Sequence, residues 1–221
     1  MAGETSCLIH IRVNIMEDRQ RVSEMWNIEH EKNAEGYKLI AGVDEAGRGP
    51  LAGPVCVASV ILPDNAYLEK INDSKKLTDK VKDKLFDEIK EIAIAYSIIL
   101  VSHEEIDRLN ILEATFKGMC DAVNTLSVKP DYVLIDGNRI KGMEIPHECV
   151  VKGDSKSISI AAASILAKVT RDRYMMELDE KYPEYNFKKH KGYPTKDHYE
   201  ALKKYGASEV HRKSFNLKLG E

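Results

Sequence analysis

Short apolar runs alternate with segments of helical spacing along most of the chain. Lys38-Leu-Ile-Ala-Gly-Val-Asp44 reads as a buried strand; the Gly/Pro cluster Gly47 to Pro54 turns it into a second run, Val55 to Leu62, which predicts a hairpin. Val81, Leu85, Ile89, Ile92 and Ala93 then fall at helical spacing within Thr78 to Tyr96, with Thr78 as N-cap. Ser97 to Val101 is a third strand, Glu104 to Leu126 a helix, Asp131 to Asp136 a fourth strand and Cys149 to Lys152 a fifth. From Ser155 a long helix is expected to about Lys181, because Ile158, Ala161, Ala162, Ile165, Leu166 and Val169 share a face. A last helix from Thr195 to Tyr205 is closed by Gly206. Glu17 to Glu35 is charged throughout, with only a partial stripe of Val22, Met25, Trp26 and Ile28, and reads as an accessory helix appended to the core. The pattern predicts an α/β fold: a five-stranded mixed sheet flanked by helices, with a helical N-terminal extension over 1–37 and a main domain over 38–221 that ends in a basic helical segment from about 183.

Composition narrows the class. With 221 residues, 43% hydrophobic and 31% charged, the chain can bury one sizeable core, and disordered or collagen-like classes are excluded. No run is apolar enough to span a bilayer. The opening fragment Cys7 to Val13 is too short and too polar for a secretion signal, so a cytoplasmic location is expected. Cys7, Cys56, Cys120 and Cys149 are far apart, which argues for reduced thiols over zinc or disulfides. Net charge is only −3, yet Asn186 to Lys218 carries nine Lys/Arg against three Asp/Glu. A basic end on an acidic body suits a protein that grips a polyanion at one edge and holds cations near its carboxylates; a solvated lysine-rich helix face explains the same numbers.

Acidic residues close three of the apolar runs: Asp44 with Glu45, Asp136, and Asp154 just before the long helix. Strand ends are where an α/β sheet gathers ligands, and oxygen donors without His or Cys suit Mg²⁺ or Mn²⁺. Each acid also has a plain explanation. Asp136 could be a solvated turn former and Asp154 an N-cap. Asp44 and Glu45, as strand neighbours, should point to opposite faces unless the strand ends or bulges there.

The run Gly42-Val-Asp-Glu-Ala-Gly-Arg-Gly-Pro-Leu-Ala-Gly-Pro-Val55 closely resembles the signature of the type 2 ribonuclease H family, ribonuclease HII. Matching blocks follow in order: Asp73-Ser-Lys-Lys-Leu77, Leu134-Ile-Asp-Gly-Asn138, Lys152-Gly-Asp-Ser155, Ala161 to Asp172, Lys191-Gly-Tyr-Pro-Thr195 and His211-Arg-Lys-Ser-Phe215. The resemblance implies a ribonuclease H-like fold in which Asp44, Glu45, Asp136 and Asp154 hold two Mg²⁺ or Mn²⁺ ions. It implies hydrolysis of the phosphodiester 5′ of a ribonucleotide embedded in duplex DNA, and of the RNA strand of RNA/DNA hybrids, in ribonucleotide and primer removal. Gly47, Arg48, Gly49 and Tyr193 would sense the 2′-hydroxyl, while Lys75, Lys76, Lys168 and Arg171 would line the duplex path.

Without the resemblance the glycines read as a hairpin turn and Tyr193 as a packing residue. Lys75 and Lys76 would be a solvated loop, and Lys168 or Arg171 a partner of Asp172. For His211 and Arg212 a structural hydrogen bond is as good a reading as a substrate role. The alternatives are a type 3 enzyme, which prefers longer hybrids and carries a larger N-terminal domain, and a catalytically silent nucleic-acid-binding relative, which would lack a ligand. An integrase or resolvase would share the acids without the loop motifs. A monomer is expected, and the tail Asn216 to Glu221 stays open as a contact for a sliding clamp or polymerase.

Overall fold

The computed structural model describes residues 15–219; the Cys7 to Val13 fragment and the last two tail residues lie outside them. Strands β1 (Ile40–Ala46), β2 (Val55–Ile61), β3 (Ala95–Val101), β4 (Tyr132–Asp136) and β5 (His147–Val150) form one sheet of order β3-β2-β1-β4-β5. β1, β2 and β3 are an antiparallel meander, while β4 and β5 join parallel to β1. The helices are α1 (15–24), α2 (Asn27–Ala34), α3 (Asp79–Ile92), α4 (His103–Leu109), α5 (Ile111–Asn124), α6 (Ile158–Lys181), α7 (Phe187–His190) and α8 (Lys196–Tyr205). The expected mixed sheet flanked by helices is therefore found.

Strand periodicity assigns the two faces. Cys56, Ala58 and Val60 of β2 pack with α6 and α3, and Val57 packs with Met119, Ala122 and Val123 of α5 on the other side. The first ten residues of α6 are buried all round, which their small size permits. The helix comes so close to β1 that a Cβ on Gly42 would sit 2.1 Å from the backbone of Ser159. The C-terminal segment builds a smaller core of its own from Leu51, Met175, Tyr185, Phe187, Leu202 and Val210, at the far end of α6.

Three local expectations need correction. The helix foreseen over Glu17 to Glu35 breaks at Met25-Trp26, and it is not merely appended: Val22, Met25 and Trp26 join the main core, and the Trp26 indole donates to the Ala66 carbonyl (3.0 Å). Buried Glu29 accepts from the Ser157 and Ser159 hydroxyls (both 2.6 Å) and from the Ser159 N–H (3.1 Å), placing a carboxylate at the N-terminus of α6. The helix foreseen over Glu104 to Leu126 breaks at Asn110, whose φ of +70° ends α4 and whose side chain caps α5. Asp154 is not the N-cap of α6. That position belongs to Ser157, and Asp154 lies in the single 3₁₀ turn Gly153–Ser155 ahead of it.

Candidate active site

β1 and β4 are parallel neighbours, with Val43 paired to Ile135, so Asp44 and Asp136 come next to each other at the same end of the sheet. Alternation turns both toward α6, the face that Gly42 and Leu134 also occupy. β1 continues through Glu45 without a bulge, so Glu45 points to the α5 face with Val43. Glu45 nevertheless lines the same cavity as Asp44 and Asp136, at the end of β1. Asp154 approaches from the turn before α6.

Burial and neighbouring carboxylates set the protonation of Asp44, Glu45 and Asp154. Burial, with Glu45 and Asp136 nearby, holds the Asp44 carboxyl well above the usual carboxylate range. Glu45 is raised by burial against the pull of Arg48, and Asp154 by burial and the closeness of Asp73. Each acid leans on a protein donor. The Gly153 N–H donates to Asp136 Oδ1 (2.7 Å), the Glu45 N–H to Asp44 Oδ1 (2.7 Å) and Arg48 Nη1 to Glu45 Oε1 (3.5 Å), while Lys75 Nζ lies 3.7 Å from Asp154 Oδ2. Among the described residues no three acidic, His or Cys side chains lie close enough together, as placed, to hold a metal ion. The donor set is nevertheless all oxygen and short of positive charge, which fits hard divalent cations.

A cavity of about 270 Å³ opens over Asp44, Glu45 and Asp136 and is walled by the Gly47–Gly49 loop, Lys168 and Tyr193. Tyr193 is 41% exposed, and its ring faces Gly49 across the opening. The loop is held from beneath by two arginines that are almost wholly buried. Arg212 donates to the carbonyls of Gly47 (2.7 Å), Arg48 (3.0 Å) and Gly53 (2.9 Å). Arg171 donates to those of Ala52 (3.2 Å), Pro54 (2.9 Å) and Lys191 (3.0 Å). Burial, then Arg171, pushes Arg212 down to about 9, which leaves it charged at neutral pH.

Of the expected substrate contacts, Lys168 lines the cavity while bonded to Asp172 (2.6 Å), and Lys75 and Lys76 are exposed beside it. Arg171 needs correction: with every guanidinium nitrogen engaged by backbone carbonyls, it supports the loop instead of facing the duplex path. His211 and Arg212 take the structural reading. In the basic segment Lys188, Lys189 and Lys196 are paired with Asp179, Asp197 and Glu200, which blunts its charge.

Sequence reasoning missed Ser164, which lines the cavity beside Asp44 and whose hydroxyl lies 3.1 Å from that of Ser74. The clue was one hydroxyl among the alanines of Ala161 to Ala167. Also missed was Arg139, which with Asn138, Arg48 and Glu45 lines a second opening of about 130 Å³ on the α5 side.

Acids converging on the ends of two central parallel strands, in a sheet of this order, define a ribonuclease H-like nuclease. Ribonuclease H2 from Pyrococcus horikoshii superposes with a TM-score of 0.70 at 30% identity, covering 81% of this chain and 95% of that one. The sequence profile of the family Ribonuclease HII matches residues 41–218, and ribonuclease HII of Clostridioides difficile is 54% identical over 202 residues, 91% of this chain and 79% of its own length. The chain belongs to the ribonuclease HII family and is a ribonuclease, a hydrolytic nuclease. Ribonuclease HII of Archaeoglobus fulgidus, solved as a complex with PCNA, is similar at a TM-score of 0.70 and 28% identity over 80% of this chain and 95% of that one. Bst ribonuclease HIII, solved with Mn²⁺, shares only the fold: 17% identity and a TM-score of 0.57 over 81% of this chain and 67% of that one.

Proposed function

We propose that this ribonuclease hydrolyses the phosphodiester 5′ of a ribonucleotide embedded in duplex DNA, and the RNA strand of RNA/DNA hybrids, leaving 3′-hydroxyl and 5′-phosphate ends. The observation that carries the reading is the single cavity in which Tyr193 and the Gly47–Gly49 loop face each other over Asp44, Glu45 and Asp136. A sugar seated at the rim shared by ring and loop would have its phosphate directed at the acids. The 2′-hydroxyl is the group by which a protein tells RNA from DNA, and a tyrosine hydroxyl can both donate to it and accept from it.

Two divalent cations, Mg²⁺ or Mn²⁺, held by Asp44, Glu45, Asp136 and Asp154, would supply Lewis acidity and positive charge at the attacking and leaving oxygens. Asp44 and Asp136 would contribute from one face of the sheet and Glu45 from the other. Arg48, exposed at the loop tip, is placed to neutralise a phosphate, and Lys75 and Lys168 flank the same opening. No protein nucleophile is needed.

Cleavage of three matched duplexes tests the reading: all DNA, DNA with one ribonucleotide, and a long RNA/DNA hybrid. The single-ribonucleotide duplex should be cut at its 5′ side with Mg²⁺ or Mn²⁺ present, and cutting should stop in excess chelator. Turnover that persists in chelator refutes the metal-dependent chemistry, and cutting of the long hybrid alone refutes the substrate.

The two loop glycines separate support from recognition. Gly47 has φ +97° and lies over the anchored Arg171, 2.0 Å from where a Cβ would stand, so Gly47→Ala is expected to destabilise the fold by about 2 kcal/mol or more. At Gly49 a Cβ would make an ordinary 3.6 Å contact with the Tyr193 ring and meet no other protein atom. Gly49→Ala should therefore melt with the parent and yet cut the single-ribonucleotide duplex at least about tenfold more slowly, because the methyl covers the backbone that the sugar would approach at this rim. Parent-like cleavage by Gly49→Ala would remove the loop from substrate recognition.

A further inference from the structure

Beneath Tyr193 three histidines, His190, His198 and His211, are packed ring to ring, and two of them form a hydrogen-bond chain whose direction is fixed at both ends. The Ser208 N–H, which can only donate, points at His211 Nδ1 (3.0 Å). His211 must then carry its proton on Nε2, which lies 3.0 Å from His198 Nε2. His198 accepts there, so its own proton is on Nδ1, 3.0 Å from the Tyr193 carbonyl, which can only accept. Burial pushes both imidazoles down to about 4, so each carries the single proton that the chain requires. His190 braces the other side: its ring stacks on that of His198 at 4.5 Å between centroids, its carbonyl accepts the Tyr193 N–H (2.9 Å), and its Nδ1 accepts the Gly192 N–H (3.2 Å).

The chain starts at the residue pair that also holds the opposite wall of the cavity. His211 forms an antiparallel bridge with Ala52, and Arg212 grips the carbonyls of Gly47, Arg48 and Gly53. One dipeptide is thus tied to both jaws: through Arg212 to the glycine loop, and through His211 and His198 to Tyr193.

We propose that His211 and His198 are positioning residues for recognition of the ribonucleotide, setting the spacing between the Tyr193 ring and the Gly47–Gly49 loop through their hydrogen-bond chain to the Tyr193 carbonyl. It rests on Tyr193 as the residue that meets the 2′-hydroxyl. Neither histidine touches substrate; both act through the place they give Tyr193.

The test compares His198→Leu, His198→Asn, Tyr193→Ala and the His198→Leu/Tyr193→Ala double variant. Single-turnover kcat and KM are measured on a duplex with one ribonucleotide, together with melting temperature and binding of the all-DNA duplex. His198→Leu is expected to lower kcat at least about tenfold with KM and all-DNA binding within about twofold. Its effect should vanish in the Tyr193→Ala background, since the two changes break one linkage. His198→Asn keeps an N–H donor near the position of Nδ1 and should recover part of the lost rate. Nitrogen-15 NMR of the full chain reads the tautomers independently of activity: a proton on Nδ1 of His198 and on Nε2 of His211 is expected. The opposite tautomers, a parent rate for folded His198→Leu, or equal losses from His198→Leu in both backgrounds would overturn the positioning role. If Leu at this site prevents folding, His198→Asn and the tautomer spectrum decide the matter. A parent rate for Tyr193→Ala would instead sink the assignment of Tyr193 itself, an outcome separate from the others.

Discussion

Replacing Asp136 by Asn is expected to lower the cleavage rate at least about a thousandfold, of the order of 4 kcal/mol in barrier, while leaving the fold and substrate binding in place. Asn retains an oxygen for the Gly153 N–H that now donates to Asp136 Oδ1, so the β4 end and the turn before α6 stay joined. What is lost is the negative charge beside Asp44. Single-turnover cleavage and duplex binding of Asp136→Asn measure the two separately, and near-normal turnover would make the residue a turn former. Asp44→Asn should lose activity in the same way but gain stability. Because the folded state raises the Asp44 carboxyl above its ordinary value, the stability linked to it is present below about pH 4 and is lost as pH rises through that raised value. An uncharged amide escapes the loss. In chelator at pH 7, Asp44→Asn should melt about 3 °C or more above the parent, with the gap closing toward pH 4.

The second large effect concerns Arg212. Three loop carbonyls depend on its guanidinium in a place with almost no water, and leaving buried acceptors unpaired costs about 1–3 kcal/mol each. Arg212→Met is therefore expected to destabilise the chain by roughly 3 kcal/mol or more and to abolish cleavage, because the Gly47–Gly49 loop loses its floor. Arg212→Lys should recover little, since an ammonium group lacks the planar fork that reaches three carbonyls at once. Urea unfolding gives the stability; a midpoint for Arg212→Met equal to the parent would show that Arg171 and the Ala52–His211 bridge hold the loop without it.

Much of this could be read from residue order. The five strands follow from runs such as Val55 to Ile61, where β-branched residues sit between turn formers, and the caps at Thr78 and Gly206 lie where the sequence places them. The acids were legible because each ends an apolar run. Less legible was everything settled by contacts far apart in the chain. Asp44 and Glu45 looked incompatible with one site because they alternate along β1, yet both line one cavity at the end of that strand. Arg171 looks like a duplex contact in sequence and Arg212 reads equally as a substrate or a structural residue, and only the carbonyls that surround them reveal a structural load. The break at Met25-Trp26 was hidden because helix periodicity cannot register that the next turn must deliver Glu29 to the start of α6.

β1 is the centre of the sheet and, among the described residues, the first strand in chain order. Its antiparallel edge can zip to β2 almost at once, but the parallel edge waits for β4: Leu39 and its partner Asp131 are 92 residues apart, and Glu29 and Ser159 are 130 apart. At about 5–20 residues per second, the nascent meander spends on the order of ten seconds with one apolar edge unpaired and with Met25 and Trp26 uncovered. Chaperone dependence and aggregation during expression should therefore be decided in that interval, and synonymous codons between β3 and β4 that slow translation should lower the yield of soluble protein without altering the finished molecule.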